Sequence, residues 1–370
     1  MRFHHHYTCA LVALCLIGLM SSLALAYTPA DVLRPQGCDA IVYPHGLPSL
    51  SVVITALDED PTLLENTVRS ILKHTPGHLL RDIVIVDDAS RDQPVRRYMS
   101  RTYSKVRVVY NKRGLGVAGA RMTGADRSTG DVVVFLDSHM EVTERWAEPF
   151  LLHLQNHPDS IVSAVIEGID PRTQKWESMH PSLHLVTLRV RDLEFKWSGS
   201  PPEANITAAP IETASILGAA FGVARKWWEQ VGKYDPGLEI WGVENIEIAA
   251  KAWMCGTGAY VIPCTRIGHI YWANDTRTRG AYRFEDTTFV ARNKARFAQV
   301  WMDSYGDSVM KHLSESSGLS DHRLRRLPGL ASRHELRQKL HCKSFHWYVE
   351  NVIYRIARKW GFPLVPEEQS

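Results

Sequence analysis

Between residues 50 and 140 short apolar runs alternate with helical ones, and this alternation constrains the fold more than any other feature. SVVITAL (51–57), DIVIVDDAS (82–90), KVRVVYN (105–111) and DVVVFLDSH (131–139) are β-rich and apolar at successive positions, the pattern of strands buried on both faces. TLLENTVRSILKH (62–74) places Leu63, Leu64, Val68, Ile71 and Leu72 at helical spacing. GVAGARMTGADRSTG (116–130) reads as a small-residue helix with Gly130 past its end. Doubly buried strands joined through helices predict a mostly parallel α/β sheet, covered on both sides, with right-handed connections. Ligands of such sheets bind beyond the carboxyl ends of the strands. Thr55, Asp87, Asp88, Asp137 and His139 fall at those ends and are expected to share one crevice.

The second half is less regular. IVSAVIEGID (161–170) and AYVIPC (259–264) read as strands, and FGVARKWWEQVG (221–232) as a strand passing into a helix. RDLEFKW (191–197) is short and aromatic, and SPPEANITAAP (200–210) is a loop by composition. ENIEIAAKAWMCG (244–256) reads as a helix ended by Gly256. FVARNKARFAQVWMDSYGDSVM (289–310) reads as one long amphipathic helix. After an Arg-rich turn (322–333), HELRQKLHCKSFHWYVENV (334–352) is a closing helical segment.

With 45% hydrophobic and 22% charged residues, the 370-residue chain is of globular composition, which excludes a disordered or fibrous class. Its net charge of +3 gives no bulk electrostatic case for nucleic acid. The first 26 residues stand apart: Arg2 and three histidines precede the uncharged run TCALVALCLIGLMSSLALA. This reads as an export signal, either cleaved after Ala24-Leu25-Ala26 or kept as a type II anchor. Membrane association is expected only through this segment. Cys38, Cys255, Cys264 and Cys342 then lie in an exported chain, where an even number points to two disulfides. A zinc site competes, but no CxxC or HxxxH spacing supports it. The sequons at Asn205 and Asn274 fit the same compartment.

Three constellations carry potential chemistry. Asp137 and His139 sit two residues apart, on one face of an extended segment, and offer a hard oxygen and an imidazole to a divalent metal such as manganese. His269, after the strand that ends near Cys264, is the candidate third ligand. The competing reading has Asp137 capping a turn and His139 packing. Asp87-Asp88 is either a solvated turn or an acid for a ribose or base. In WGVENIE (241–247), Gly242 lets the backbone turn while Glu244 and Asn245 open a helix. They act there as caps, or Trp241 forms a hydrophobic wall and Glu244 accepts from a sugar hydroxyl.

SVVITALDED, IVIVDDAS, VVFLDSHMEV, GKYDPGLEIWGVENIEIAAKAWMCG, VIPCTRIGHI, ARNKARFAQVWMDSY and LRQKLHCKSFHWYVENV occur in this order, over roughly residues 38–354. In this the chain resembles the polypeptide N-acetylgalactosaminyltransferases. The resemblance implies a GT-A type fold, and retaining transfer of a sugar from a UDP donor to a Ser or Thr hydroxyl of a polypeptide. It implies Mn2+ held by Asp137, His139 and His269, with Thr55 and Asp88 at the uridine. Trp241, Glu244 and Asn245 would surround the donor sugar and the diphosphate. It also implies the pairings Cys38–Cys264 and Cys255–Cys342, and a Golgi lumenal location by a type II anchor, or secretion. Inverting relatives of the fold commonly carry a base carboxylate where this chain has Asn245. The implied organisation is a signal or anchor (1–26), a short stem (27–49), a catalytic domain (50–354) and a tail (355–370).

Several departures from the family pattern bear on specificity. No lectin-like C-terminal domain follows WYVEN, so acceptor choice is expected to rest on the catalytic domain. Gly218-Ala219-Ala220 replaces an AGG segment, and two added methyls would narrow the sugar pocket. Val243 replaces a glycine of WGGEN. The FRKxxPY-type lid becomes IYWANDTRTRGAYRF, in which Arg277, Arg279 and Tyr282 are candidates for diphosphate contact. Arg121, rather than Arg113, is in register with the nucleotide-facing arginine. The alternatives are a UDP-GlcNAc donor, a glycan or lipid acceptor, or a non-catalytic binding relative.

Overall fold

The computed structural model describes residues 34–363, except 92, 93, 96, 172, 177–182, 184, 203–204 and 272–285. The sheet begins with β1 (Leu50–Ala56), β2 (Leu80–Asp87), β3 (Val106–Tyr110) and β4 (Val132–Asp137), ordered β3-β2-β1-β4 and all parallel, as the alternation predicts. It continues through β5 (Met140–Val142), β6 (Ser160–Ile169), β9 (Ile211–Glu212), β10 (Ala220–Ala224) and β11 (Gly258–Ile270). The chain re-enters antiparallel. β10 runs against both β4 and β6, and β11 lies parallel to β6 but antiparallel to β5 and β9. β7 (Leu185–Arg189) and β8 (Glu194–Gly199) pair with each other, apart from the main sheet.

Strand alternation divides the core. Val53, Val133, Phe135 and Phe221 face the helices Gly116–Arg127, Arg225–Gln230 and Glu244–Cys255. Val52, Ile54, Val134 and Leu136 face Pro61–His74 and Ala147–Asn156. The acidic stretch after β1 is a helix start: the Asp60 carboxylate accepts from the Thr62 and Leu63 amides at 2.7 and 3.4 Å, and Pro61 opens the helix. Gly130 lies past the end of the helix Gly116–Arg127, as expected, with Ser128 as the capping residue. Gly130 also lets the chain pass β1 at close quarters, since a Cβ there would lie 2.5 Å from the Ser51 nitrogen.

The expected single helix over 289–310 is two, Phe289–Trp301 and Tyr305–Ser316. Between them Asp303 takes φ 51°, accepts from the Phe345 amide at 2.7 Å and pairs with Arg337 at 2.6 Å. Tertiary partners thus break a pattern that is periodic throughout. The closing segment likewise divides into Leu330–Leu340, Phe345–Tyr348, a π-helical turn Val349–Tyr354 and Arg355–Trp360. Ile356 and Ala357 are buried in the core, so the folded domain runs past the expected boundary at 354.

Both implied disulfides are present. Cys38–Cys264 draws part of the expected stem onto β11, and Cys255–Cys342 ties the end of the helix Glu244–Cys255 to the closing segment. Among the described residues no helix is long and apolar enough to cross a membrane; the candidate signal or anchor lies outside them.

Candidate active site

Thr55 and Asp137 are register partners at the carboxyl ends of the parallel strands β1 and β4. On β4, Asp137 shares a face with Val133 and Phe135 and so points towards the helix Gly116–Arg127. There Arg121, 3% exposed, donates to Asp137 Oδ1 at 3.2 Å and to the Gly218 carbonyl at 2.7 Å. Glu244 Oε1 lies 3.9 Å from the same guanidinium. Arg121 therefore braces Asp137 from below, whereas the family resemblance implies a nucleotide-facing residue.

His139 follows two residues beyond the end of β4. Its Nδ1–H donates to Glu59 Oε2 at 2.7 Å, and the Ser138 hydroxyl donates to the same carboxylate at 2.5 Å. A carboxylate on Nδ1 fixes the ring and turns Nε2 to the opposite side. His269 lies within β11 rather than after it, opposite Met140 of β5 and Gly168 of β6. A register shift between Ile262 and Arg266 carries the strand past Cys264 to that position. His269 Nε2 stands 3.6 Å from Asp137 Oδ2, and its ring centroid 4.9 Å from that of His139.

Burial alone would push the Asp137 carboxyl up, but His269, Arg121 and His139 outweigh it and hold its pKa below the usual value. Glu59 behaves alike: burial raises it, and the bonds from His139, Ser138 and the backbone bring it below the ordinary carboxylate value. Glu244 goes the other way, since burial raises its pKa more than Arg121 lowers it. Asp137 and Glu59 thus favour the ionised form more than an ordinary carboxylate does, and Glu244 less.

The two aspartates after β2 have separate tasks. Asp87 accepts from the Ser90 and Val95 amides at 2.8 and 2.7 Å and organises the turn, but it is 2% exposed, so the turn is not a solvated one. Asp88 accepts from Asn111 Nδ2 at 2.7 Å, from the Leu115 amide at 2.9 Å and from the Gly116 amide at 2.8 Å. It thereby fixes the start of the helix that carries Arg121. The next amide, Val117, donates to the Ile240 carbonyl at 2.7 Å. Gly116 has φ +74° and a Cβ there would meet Ile240 backbone at 2.5 Å, so a side chain would push the two segments apart.

That contact brings in the segment around Trp241. Trp241 is 47% exposed beside the crevice and packs edge-on against Phe289 at 6.1 Å. Ile240, Gly242 and Val243 all have positive φ, 52°, 96° and 78°. Val243 is the N-terminal flanking residue of the helix Glu244–Cys255 and makes no side-chain cap, so Glu244 and Asn245 belong to the first turn without capping it. Asn245 is buried and donates to the Ile216 carbonyl at 2.9 Å. Of the alanine pair, Ala220 is 1% exposed and packs in the core with Leu136, while Ala219 is half-buried and its carbonyl accepts from the Asp137 amide at 3.1 Å. Only Ala219 borders the crevice. Arg277, Arg279 and Tyr282 lie outside the described residues.

One carboxylate and two imidazoles on converging strand ends are a donor set suited to Mn2+. His269 Nδ1 is buried without a hydrogen-bond partner in the protein, and Glu59 stands behind His139 as an orienting carboxylate. The three side chains are drawn less tightly than a coordination sphere requires: among the described residues no group of three His, Cys, Asp or Glu is close enough to hold a metal ion as placed. Arg121 engages one Asp137 oxygen in this arrangement. Glu59 escaped the sequence reading; its signal was one more acid past a strand end, in a stretch that reads only as acidic. Asn293, described below, carried no signal beyond its place in a helix.

The family model for glycosyl transferase family 2 matches residues 51–230. Polypeptide N-acetylgalactosaminyltransferase 11 of Xenopus tropicalis is 37% identical over 335 residues, 86% of this chain and 52% of that protein. Polypeptide N-acetylgalactosaminyltransferase 5 of Caenorhabditis elegans is 34% identical over 326 residues, 85% of this chain and 50% of that protein. The chain belongs to the polypeptide N-acetylgalactosaminyltransferase family. Polypeptide N-acetylgalactosaminyltransferase 16 of Homo sapiens is 35% identical over 331 residues, 88% of this chain and 57% of that protein. The chain thus spans about half the length of the relatives it matches. Among solved structures, GalNAc-T7 with UDP, GalNAc and Mn2+ superposes with a TM-score of 0.78 at 27% identity, covering 90% of this chain and 62% of that one. The GT-A fold is thereby established for this member of the family.

Proposed function

We propose that this protein is a retaining glycosyltransferase that moves GalNAc from UDP-GalNAc to Ser or Thr hydroxyls of polypeptides, in a lumenal or secreted setting. The observation that carries the reading is the convergence of Asp137, His139 and His269 at the strand ends, beside Arg121, in a chain of this family. The relatives' names supply the reaction class, and the GalNAc-T7 complex the donor products and the ion. Two disulfides support an oxidising compartment.

Asp137, His139 and His269 would hold the Mn2+. When bound, the ion offsets the charge that builds on the departing diphosphate. The chain's own groups do the rest. Arg121 holds Asp137 in orientation and Glu59 holds the His139 ring. Asp88 braces the helix start against which the nucleotide lies, and Thr55 offers a hydroxyl at the end of β1. Trp241 walls the sugar, and Glu244 accepts from one of its hydroxyls. The bond from the anomeric carbon to the phosphate oxygen breaks, and a bond to the Ser or Thr oxygen forms on the same face. The hydroxyl proton goes to the diphosphate, since Asn245 offers no base. Holding the acceptor close supplies much of the rate.

The test is to incubate the protein with Mn2+, a mixed Ser/Thr peptide and UDP-GalNAc, UDP-GlcNAc or UDP-Gal in parallel, weighing the peptide by mass spectrometry. A HexNAc gain from UDP-GalNAc is expected. In Asp137→Ala it should fall by at least about 100-fold. Gain from another donor alone would move the specificity, and no gain with no UDP release would overturn the reading.

A further inference from the structure

The segment from Glu239 to Val243, which carries Trp241 and leads into Glu244, is strained. Ile240 and Val243 are β-branched residues in the left-handed region, at φ 52° and 78°. Such conformations persist only where the surroundings over-determine them. One fully buried side chain supplies most of that determination. Asn293, in the helix Phe289–Trp301, is 0% exposed. Its Nδ2 donates to the carbonyls of Glu239, Trp241 and Gly242 at 2.7, 3.1 and 3.2 Å, and its Oδ1 accepts from the Glu239 amide at 2.9 Å. One residue earlier, Arg292 grips the Glu239 carboxylate with both arms at 2.7 and 2.6 Å and reaches Asp286 at 2.9 Å. Neither side chain is drawn to Asp88 or Asp137 in these contacts.

We infer that Asn293, supported by Arg292, is a positioning residue for the sugar half of the donor: it holds the strained Glu239–Val243 segment so that Trp241 and Glu244 meet the sugar. The inference rests on the proposed donor reading and adds a division of labour to it. The nucleotide side is set by Asp88 and the sheet, and the sugar side by the helix Phe289–Trp301. Asparagine is needed because the contact is one acceptor and a shared amine; an aspartate keeps only the acceptor.

The experiment compares wild type, Asn293→Asp and Arg292→Gln by three readouts. Hydrogen exchange of the peptide covering 239–247 reads the clamp whether or not donor is turned over. Calorimetric titration gives UDP and UDP-GalNAc affinities in the presence of Mn2+. Steady-state kinetics gives kcat and KM for the donor. For Asn293→Asp we expect faster exchange in that peptide and UDP affinity within about twofold of wild type, with kcat/KM for UDP-GalNAc down by at least about tenfold, as misplacement of groups around a reacting centre produces. Arg292→Gln should move the same readouts less. If Asn293→Asp does not fold, Arg292→Gln, whose side chain lies near the surface, decides by the same criteria. Unchanged exchange, or equal losses of UDP and UDP-GalNAc binding, would overturn the inference in favour of a purely structural role. A wild type that binds UDP but turns over no donor would instead count against the proposed reaction, with the exchange result still deciding the clamp.

Discussion

The two sides of the crevice are built by different means. On the proposed nucleotide side, Thr55 and Asp137 are where they are because β1 and β4 are adjacent parallel strands in fixed register. On the proposed sugar side, the strained segment that carries Trp241 and leads into Glu244 is hydrogen-bonded by Asn293 of a distant helix. A backbone-set position changes only when a strand moves, which costs much of the fold. A clamp-set position changes with one side chain. The first side is therefore robust, and the second is open to change without disturbing the sheet.

The sharpest way to break this contrast is to disturb register from outside the site. In Gly130→Ala the new Cβ would fall 2.5 Å from the Ser51 nitrogen and 2.6 Å from the Leu50 carbonyl carbon, forcing β1 and the entry to β4 apart. A loss of about 3 kcal/mol in urea unfolding is expected, with transferase activity falling in step. Wild-type stability would mean that register is not pinned there.

The next effect separates the rear of the sheet from the site by pH. His153 packs on Tyr260 with ring centroids 4.6 Å apart, on the side away from Asp137. Burial, aided by His157, lowers its pKa to about 4. The unfolded chain takes up that proton below its ordinary value and the folded chain does not, so stability is lost as pH falls from about 6.5 towards about 4. By pH 5 the loss is roughly 2 kcal/mol at most. His153→Leu should flatten that window when melting is followed from pH 7.5 to 5. The depressed carboxylates Asp137 and Glu59 lose their contribution at lower pH, as pH falls through their folded pKa values, and His153→Leu should leave that part unchanged. An unaltered pH profile would remove His153 from the account.

The smallest effect tests which methyl matters. Ala220→Gly should cost about 1 kcal/mol of stability and leave donor preference alone, because that side chain lies in the core. Ala219→Gly should leave stability within about 0.5 kcal/mol and change the ratio of rates with UDP-GalNAc and UDP-GlcNAc. The reverse result would place Ala220 at the sugar pocket.

What the sequence disclosed follows the same division. β1 to β4 were legible because doubly apolar runs separated by helical spacing admit few folds, and Asp137 was legible because it ends such a run. β10 was read as a strand, but its antiparallel entry was not, since a strand buried on both faces looks the same in either direction. The break at Asp303 was hidden because periodicity continues across it and only the contacts to Phe345 and Arg337 impose it. His269 was legible as a histidine following the run AYVIPC, but its place inside β11 depends on a register shift that leaves no periodic trace. Glu59 and Asn293 act through partners 80 and about 50 residues away, a distance over which local pattern is silent.

The bond between Cys38 and Cys264 gives the site a location in time as well as in space. It joins residues 226 apart and ends on the strand that carries His269. Such a bridge forms where thiols are oxidised and not in the reducing cytosol. Until it closes, β11 is held to the rest of the sheet by its ladder hydrogen bonds, the packing of Ile262, Ile267 and Ile270, and the ion pair of Arg266 with Glu167. Of the three residues proposed to hold the metal, Asp137 and His139 come from one local stretch of chain, whereas His269 lies on the strand that the bridge secures. An oxidising compartment would thereby become a condition for securing the proposed site.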